Sequence, residues 1–192
     1  MIIARQVFLT LDEETVSWEF LESQKRHYKL DTLLRRVHIS DSVSVFWDDA
    51  SASTRKTATS WGCAGNFDLF LVFQWLRKEI VVKKILEVMV DDGARREMGT
   101  GDCAGDRKRP HSDRAIIECL KGLDVETFDW QRTDIPADVI VSAAPNVRTL
   151  YLYCSGRQAV LQGWADRNGL ARLKKVFPTP RPPNHTRFMP SD

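Results

Sequence analysis

Three residues of this chain stand in the order of a serine-hydrolase triad: Asp92 before Gly93, then His111, then Ser155 before Gly156. A hydroxyl nucleophile needs a histidine base beside it, a carboxylate to hold that histidine's far nitrogen, and donors for the developing oxyanion. The residue types are present, but no H-G-T or G-T-S-M surrounds them. The order therefore reads as a coincidence of short matches. Asp91 and Asp92 read instead as strand-end carboxylates that face solvent or cap the next segment. Cys103, His111 and Cys119 fall at eight-residue steps, with Cys154 far away, whereas structural zinc sites bring ligands in close pairs. Cys119 and Cys154 read as small core residues, and the histidines as isolated. Arg107-Lys108-Arg109 suits a phosphate, yet beside Asp102 and Asp106 it reads as a solvated charge run. Trp75, Trp130, Trp164, Tyr151 and Tyr153 lie on amphipathic elements and read as core aromatics rather than a ligand platform. No catalytic residue, cofactor or metal ligand is assigned from the sequence, and the chain is expected not to be an enzyme.

Length and composition bound the remaining classes. A chain of 192 residues with 43% hydrophobic and 28% charged residues fits one globular domain plus extensions. The net charge is +2, and Arg172 to Asp192 holds five basic residues against one acidic, so the rest carries about −2. No basic face for nucleic acid is indicated. The four cysteines show no C-x-x-C spacing, the opening MIIARQVFLTLDEE has too short an apolar run for a signal peptide, and no window approaches a membrane span. A cytoplasmic protein with reduced thiols is expected, and the sequon at Asn184 reads as chance.

The elements that must position these residues fall into two halves. Thr10 to Tyr28 reads as a helix with a Thr10/Glu13 capping box, and Asp31 with Leu33, Leu34 and Val37 as a second short helix before a strand near Val43 to Phe46. Residues 48–66 turn rich in Ser, Thr, Ala and Gly and read as a flexible linker. After it, helix and strand alternate. Asp68 is expected to cap a helix with Leu69, Phe73, Leu76 and Ile80 on one stripe. Strands follow at Ile85 to Asp92, apolar enough to be covered on both faces, at Asp124 to Trp130 and at Arg148 to Tyr153. Between them lie helices from His111 to Gly122 and from Asp134 to Pro145, with a further helix at Ala159 to Ala165 and a fourth strand from Leu173 to Phe177. Strand starts at 86, 125, 148 and 173 are separated by 39, 23 and 25 residues, and leaving out the 17 residues 93–109 brings the first step to 22. That segment reads as a disordered insertion outside the folded unit. Val147-x-x-Leu150-x-Leu152-x-x-Ser155 and Leu170-x-x-Leu173-x-x-Val176 echo a leucine-rich-repeat ladder.

The predicted fold is thus α/β. It is a short parallel sheet with alternating helices over 67–177, either degenerate leucine-rich-repeat-like or a plain parallel unit. A small helical segment, 1–47, precedes it, and a proline-rich tail, 178–192, follows.

Some runs resemble a known region. LFLVFQWLRKEIVVKKILEVMVDD, HSDRAIIECLKGLDVETFDWQRTDI and APNVRTLYLYCSGRQAVLQGWADRNGLARLKKV are similar to the region that precedes the protease domain in large intracellular fungal proteins of the subtilisin-like serine protease family. The similarity covers residues 67 to 177. In that family a V-D-D run passes almost directly into the histidine-bearing helix, so 93–109 is a departure. The matched region lies outside the protease domain, and no catalytic residue carries over. The resemblance implies a non-catalytic accessory or interaction domain with a protein partner. Two alternatives stay open, a cryptic serine hydrolase and a stand-alone repeat-type binding scaffold.

Overall fold

The computed structural model describes residues 8–12, 15–28, 32–49, 51–60, 66–92 and 109–176. Five parallel strands form the main sheet: β1 (Phe8–Leu11), β3 (Leu33–Ile39), β5 (Lys84–Val90), β6 (Asp124–Thr133) and β7 (Thr149–Tyr153). They lie side by side in chain order, with β1 and β7 at the edges. A separate two-stranded ribbon joins β2 (Thr15–Val16) to β4 (Ser44–Val45). The helices are α1 (Trp18–Tyr28), α2 (Ala52–Thr59), α3 (Phe70–Lys78), α4 (Asp113–Leu120), α5 (Ala137–Ala143) and α6 (Gln158–Ala165), followed by a 3₁₀ turn at Leu170–Arg172. The mixed α/β class and the alternation are as the sequence predicts.

Sequential parallel strands joined by right-handed crossovers place every connecting helix on the same face of a sheet. The helices accordingly form one continuous layer, α1 and α2 against α3, α3 against α4, and α4 against α5. Alternate residues of the interior strands are buried against that layer, Val37 and Ile39 in β3, Val88 and Val90 in β5, and Phe128 and Trp130 in β6, and Leu34, Ile85 and Val125, which stand out of that alternation near the strand starts, are buried as well. Phe73 from α3 and Phe128 both stack on Trp130, with ring centroids 6.3 and 6.4 Å apart. On the other face, among the described residues, Arg36 is exposed, His38, Glu87, Met89 and Thr127 are half-buried and Asp129 is buried. Coverage of β5 on both faces is therefore corrected: Leu86, Glu87 and Met89 are only half-buried.

The second half matches expectation closely. The stripe Leu69, Phe73, Leu76 and Ile80 is buried, as are Ile116, Cys119 and Leu120 of α4 and Val139, Ile140 and Ala143 of α5. Gly122 has φ +79, the left-handed conformation that ends a helix. Two local expectations fail there. Asp68 does not cap α3 but accepts from Trp47 Nε1, and the strand expected from Leu173 is not formed: a 3₁₀ turn spans Leu170–Arg172 and no strand follows over 173–176.

The first half is not a helical appendage. Thr10 belongs to β1, and the helix begins only at Trp18, where Ser17 Oγ accepts from Phe20 N. Leu33, Leu34 and Val37 form strand β3, paired with both β1 and β5. The linker reading is also corrected, since α2 occupies residues 52–59 and buries Thr54 and Ala58. The physical reason is common to all three: Leu34 and Val37, or Thr54 and Ala58, sit at spacings that local patterning alone does not resolve, and contacts remote in sequence decide. The expectations for 93–108 and for the tail from 177 lie outside the described residues.

Candidate functional site

At the end of β5 the structure brings together two of the three triad-ordered residues. Asp92 leaves the strand, and His111 immediately precedes Ser112, whose Oγ caps α4 by accepting from Ala115 N at 3.2 Å. Asp92 Oδ1 lies 2.9 Å from His111 Nδ1, and both carboxylate oxygens accept from His111 N at 3.1 Å. Trp130 Nε1 donates to Oδ2 at 2.7 Å. The His111 ring meets Trp130 edge-on at 5.8 Å. The loop is fastened further by the Asn66 backbone, which bonds Pro110 O and Ser112 N, and by Arg132, which reaches His111 O at 2.8 Å and Asp113 Oδ1.

Chemically this is the carboxylate–imidazole half of a triad, because an Nδ1–H held by a carboxylate leaves Nε2 as the basic nitrogen. The other half does not meet it. Asp92 and His111 are buried, and His111 Nε2 has no hydrogen-bond partner among the described residues. Ser155 is exposed and engaged elsewhere, with its N and Oγ both donating to Asp134. Two readings are corrected here: Asp92 does not face solvent, and His111 is not isolated. Their burial follows from the chain reversal that returns α4 over the end of β5.

The second candidate is the open face of the sheet. Parallel register lines up Arg36, Glu87, Thr127 and Thr149 in one row and His38, Met89, Asp129 and Tyr151 in the next. Neighbours in these rows satisfy one another. Arg36 pairs with Glu87 at 2.6 Å, and His38 lies 4.0 Å from Asp12 and 3.9 Å from Asp91. Tyr153 Oη donates to Asp129 Oδ1 at 2.6 Å. Burial pushes the Asp129 carboxyl up, against the lowering effect of that bond, and burial with the adjoining carboxylate pushes the Tyr153 phenol up as well. A surface so arranged offers lateral charge pairs and an aromatic side chain, Tyr151, 51% exposed.

The remaining candidates separate clearly. Cys103, Arg107 and Lys108 lie outside the described residues. Cys119 is buried, and that burial pushes its thiol up, whereas Cys154 is exposed rather than in the core. Among the described residues no three ligands gather to hold a metal ion, and no helix is long and apolar enough to cross a membrane. Trp75 and Trp130 are core residues. Trp164 is half-buried, with Nε1 on Ile135 O, and Tyr151 is corrected from core to surface because β7 is an edge strand. A cleft between α5 and α6 contains Asp134 and Asp138, both already engaged, by Ser155 and by Arg172. Sequence reasoning missed His38, Asp129 and Arg132, whose only sequence signal is a polar residue inside a strand. No protein-family model, curated protein or solved structure matches this chain.

Proposed function

We propose that this chain is a non-enzymatic protein-interaction unit whose contact surface is the open face of the five-stranded sheet. The observation that carries this reading is the one-sided helix layer, which leaves whole rows of side chains in fixed register across parallel strands. A rigid array of this kind costs little ordering entropy on binding. The face carries Asp12, Glu87, Asp91 and Asp129 against Arg36 and His38, a balance that favours a protein surface over a nucleic-acid backbone. The resemblance to pre-protease regions supports an accessory role beside a subtilisin-like catalytic domain, and the free thiols Cys119 and Cys154 fit a reducing compartment.

The test is site-specific photo-cross-linking. A benzophenone amino acid at Met89, on the open face, should capture a partner from the source's extract, while the same probe at Lys56, on the exposed side of α2, should not. Equal capture from both positions, or capture from Lys56 alone, would sink the reading. The second reading, a serine hydrolase, is favoured by the Asp92–His111 hydrogen bond. It requires stoichiometric labelling by a fluorophosphonate probe that is lost in His111→Ala, and we expect no labelling.

A further inference from the structure

Among the described residues β7 ends the sheet with no strand on its far side. By alternation Leu152 lies on the same side of β7 as Leu150, which pairs with the buried Phe128, and the register between β6 and β7 shifts between Asp129 and Thr133. Phe128 is 0% exposed, yet Leu152 is 39% exposed. Helix α6, which follows β7 in the chain, has no buried residue, and its Leu161 is 49% exposed. From Thr149 to Ala165 the sole charged residue is Arg157, in a chain that is 28% charged. Edge strands of stand-alone sheets are ordinarily blunted by charge, proline or a bulge in the edge strand. β7, TLYLY, has no charge and no proline.

A strand added to this edge would have to donate backbone hydrogen bonds to it. The chain's own segments outside the structure suit this poorly. Residues 177–192 carry prolines at 178, 180, 182, 183 and 190, and proline cannot donate to a ladder. Residues 93–108 are glycine-rich and charged, and residues 1–7 lead into β1 at the opposite edge. A second copy offers a matching edge. About a two-fold axis through Tyr151, Leu150 of one protomer faces Leu152 of its partner and Thr149 faces Tyr153, with no like charges opposed. An axis normal to the sheet keeps both helix layers on one side, so the two Leu152 side chains meet on that side.

We propose that this protein dimerises through β7, two copies pairing antiparallel to make one ten-stranded sheet. The pairing edge meets the open face at Tyr151, and neither proposal depends on the other.

Sedimentation velocity on the full chain should show a dimer for the parent protein and for Phe8→Lys at the other edge. Leu152→Lys should weaken association at least about tenfold with unchanged circular dichroism, because two unpaired ammonium groups would meet there. Tyr151→Cys, made with Cys63, Cys103 and Cys154 changed to Ser, should oxidise to a disulfide dimer, since two-fold pairing brings its Cα atoms within the roughly 4.4 to 6.8 Å a disulfide spans. A parent that stays monomeric at all concentrations overturns the proposal. So does an open series of oligomers, which would mean head-to-tail pairing of β7 with β1, or a dimer that appears only after deletion of 177–192, which would mean that the tail covers the edge.

Discussion

The middle of the sheet and its far edge use the same chemistry at different depths. In β5 and β6 the apolar positions are sealed, and the polar closure is Asp92, a buried carboxylate with three donors from His111 and Trp130. At β7 the equivalent leucines are half-buried or exposed, and the closure is Asp134, with φ +61, taking Ser155 N and Oγ in partial contact with water. A hydrogen bond exchanged for one to water contributes little, whereas a buried donor left without its acceptor loses its full solvation. Depth therefore sets the worth of each tie.

The contrast should be largest in the apolar residues. Phe128→Ala should cost about 3 to 5 kcal/mol, as for a large side chain removed from a sealed core, and Leu152→Ala less than about 1 kcal/mol in the monomer, because water already reaches it. Denaturant melts at low protein concentration measure both, and equal losses would show that β7 is as well covered as β6.

Next come the two carboxylates. Asp92→Ala should cost about 3 kcal/mol, since it strands the donors of His111 and Trp130, while Asp134→Ala should cost no more than about 1 kcal/mol. The Ser155 bonds hold the Asp134 carboxyl below its usual range, so its contribution is present above the ordinary carboxyl pKa and is lost as pH falls through the lowered native value. A large loss in Asp134→Ala with none in Asp92→Ala would reverse the comparison.

The smallest effect concerns the open face. Burial raises the Asp129 carboxyl, so between the ordinary value and the raised one the native state binds more protons, and stability falls as pH rises. Asp129→Asn keeps an oxygen to accept from Tyr153 and should be slightly more stable than the parent at neutral pH. Its advantage should shrink in acid, where the carboxyl is protonated in both states. Melts across that range would contradict this if the variant were the weaker one at neutral pH.

Much of the second half was legible beforehand. The stripe Leu69, Phe73, Leu76, Ile80 repeats on the helical period, and the apolar run from 85 ends at Asp91-Asp92-Gly93, so element type there follows from local pattern. The first half was not. Leu34 and Val37 are three residues apart, the spacing of a helix face, and their strand identity comes from hydrogen bonds to β1 and β5. The candidate site divides in the same way. The order Asp92, His111, Ser155 could be read off, yet which pair meets depended on α4 returning over β5.

Composition and periodicity, which act through neighbours in the chain, were enough to specify an α/β unit with helices and parallel strands in alternation. Three things required the assembled sheet: the strand identity of β1 and β3, the burial of Asp92 against His111 and Trp130, and the exposure of Leu152 in the edge strand β7. Backbone partners and depth from solvent are supplied by residues far away in sequence, so no local pattern encodes them.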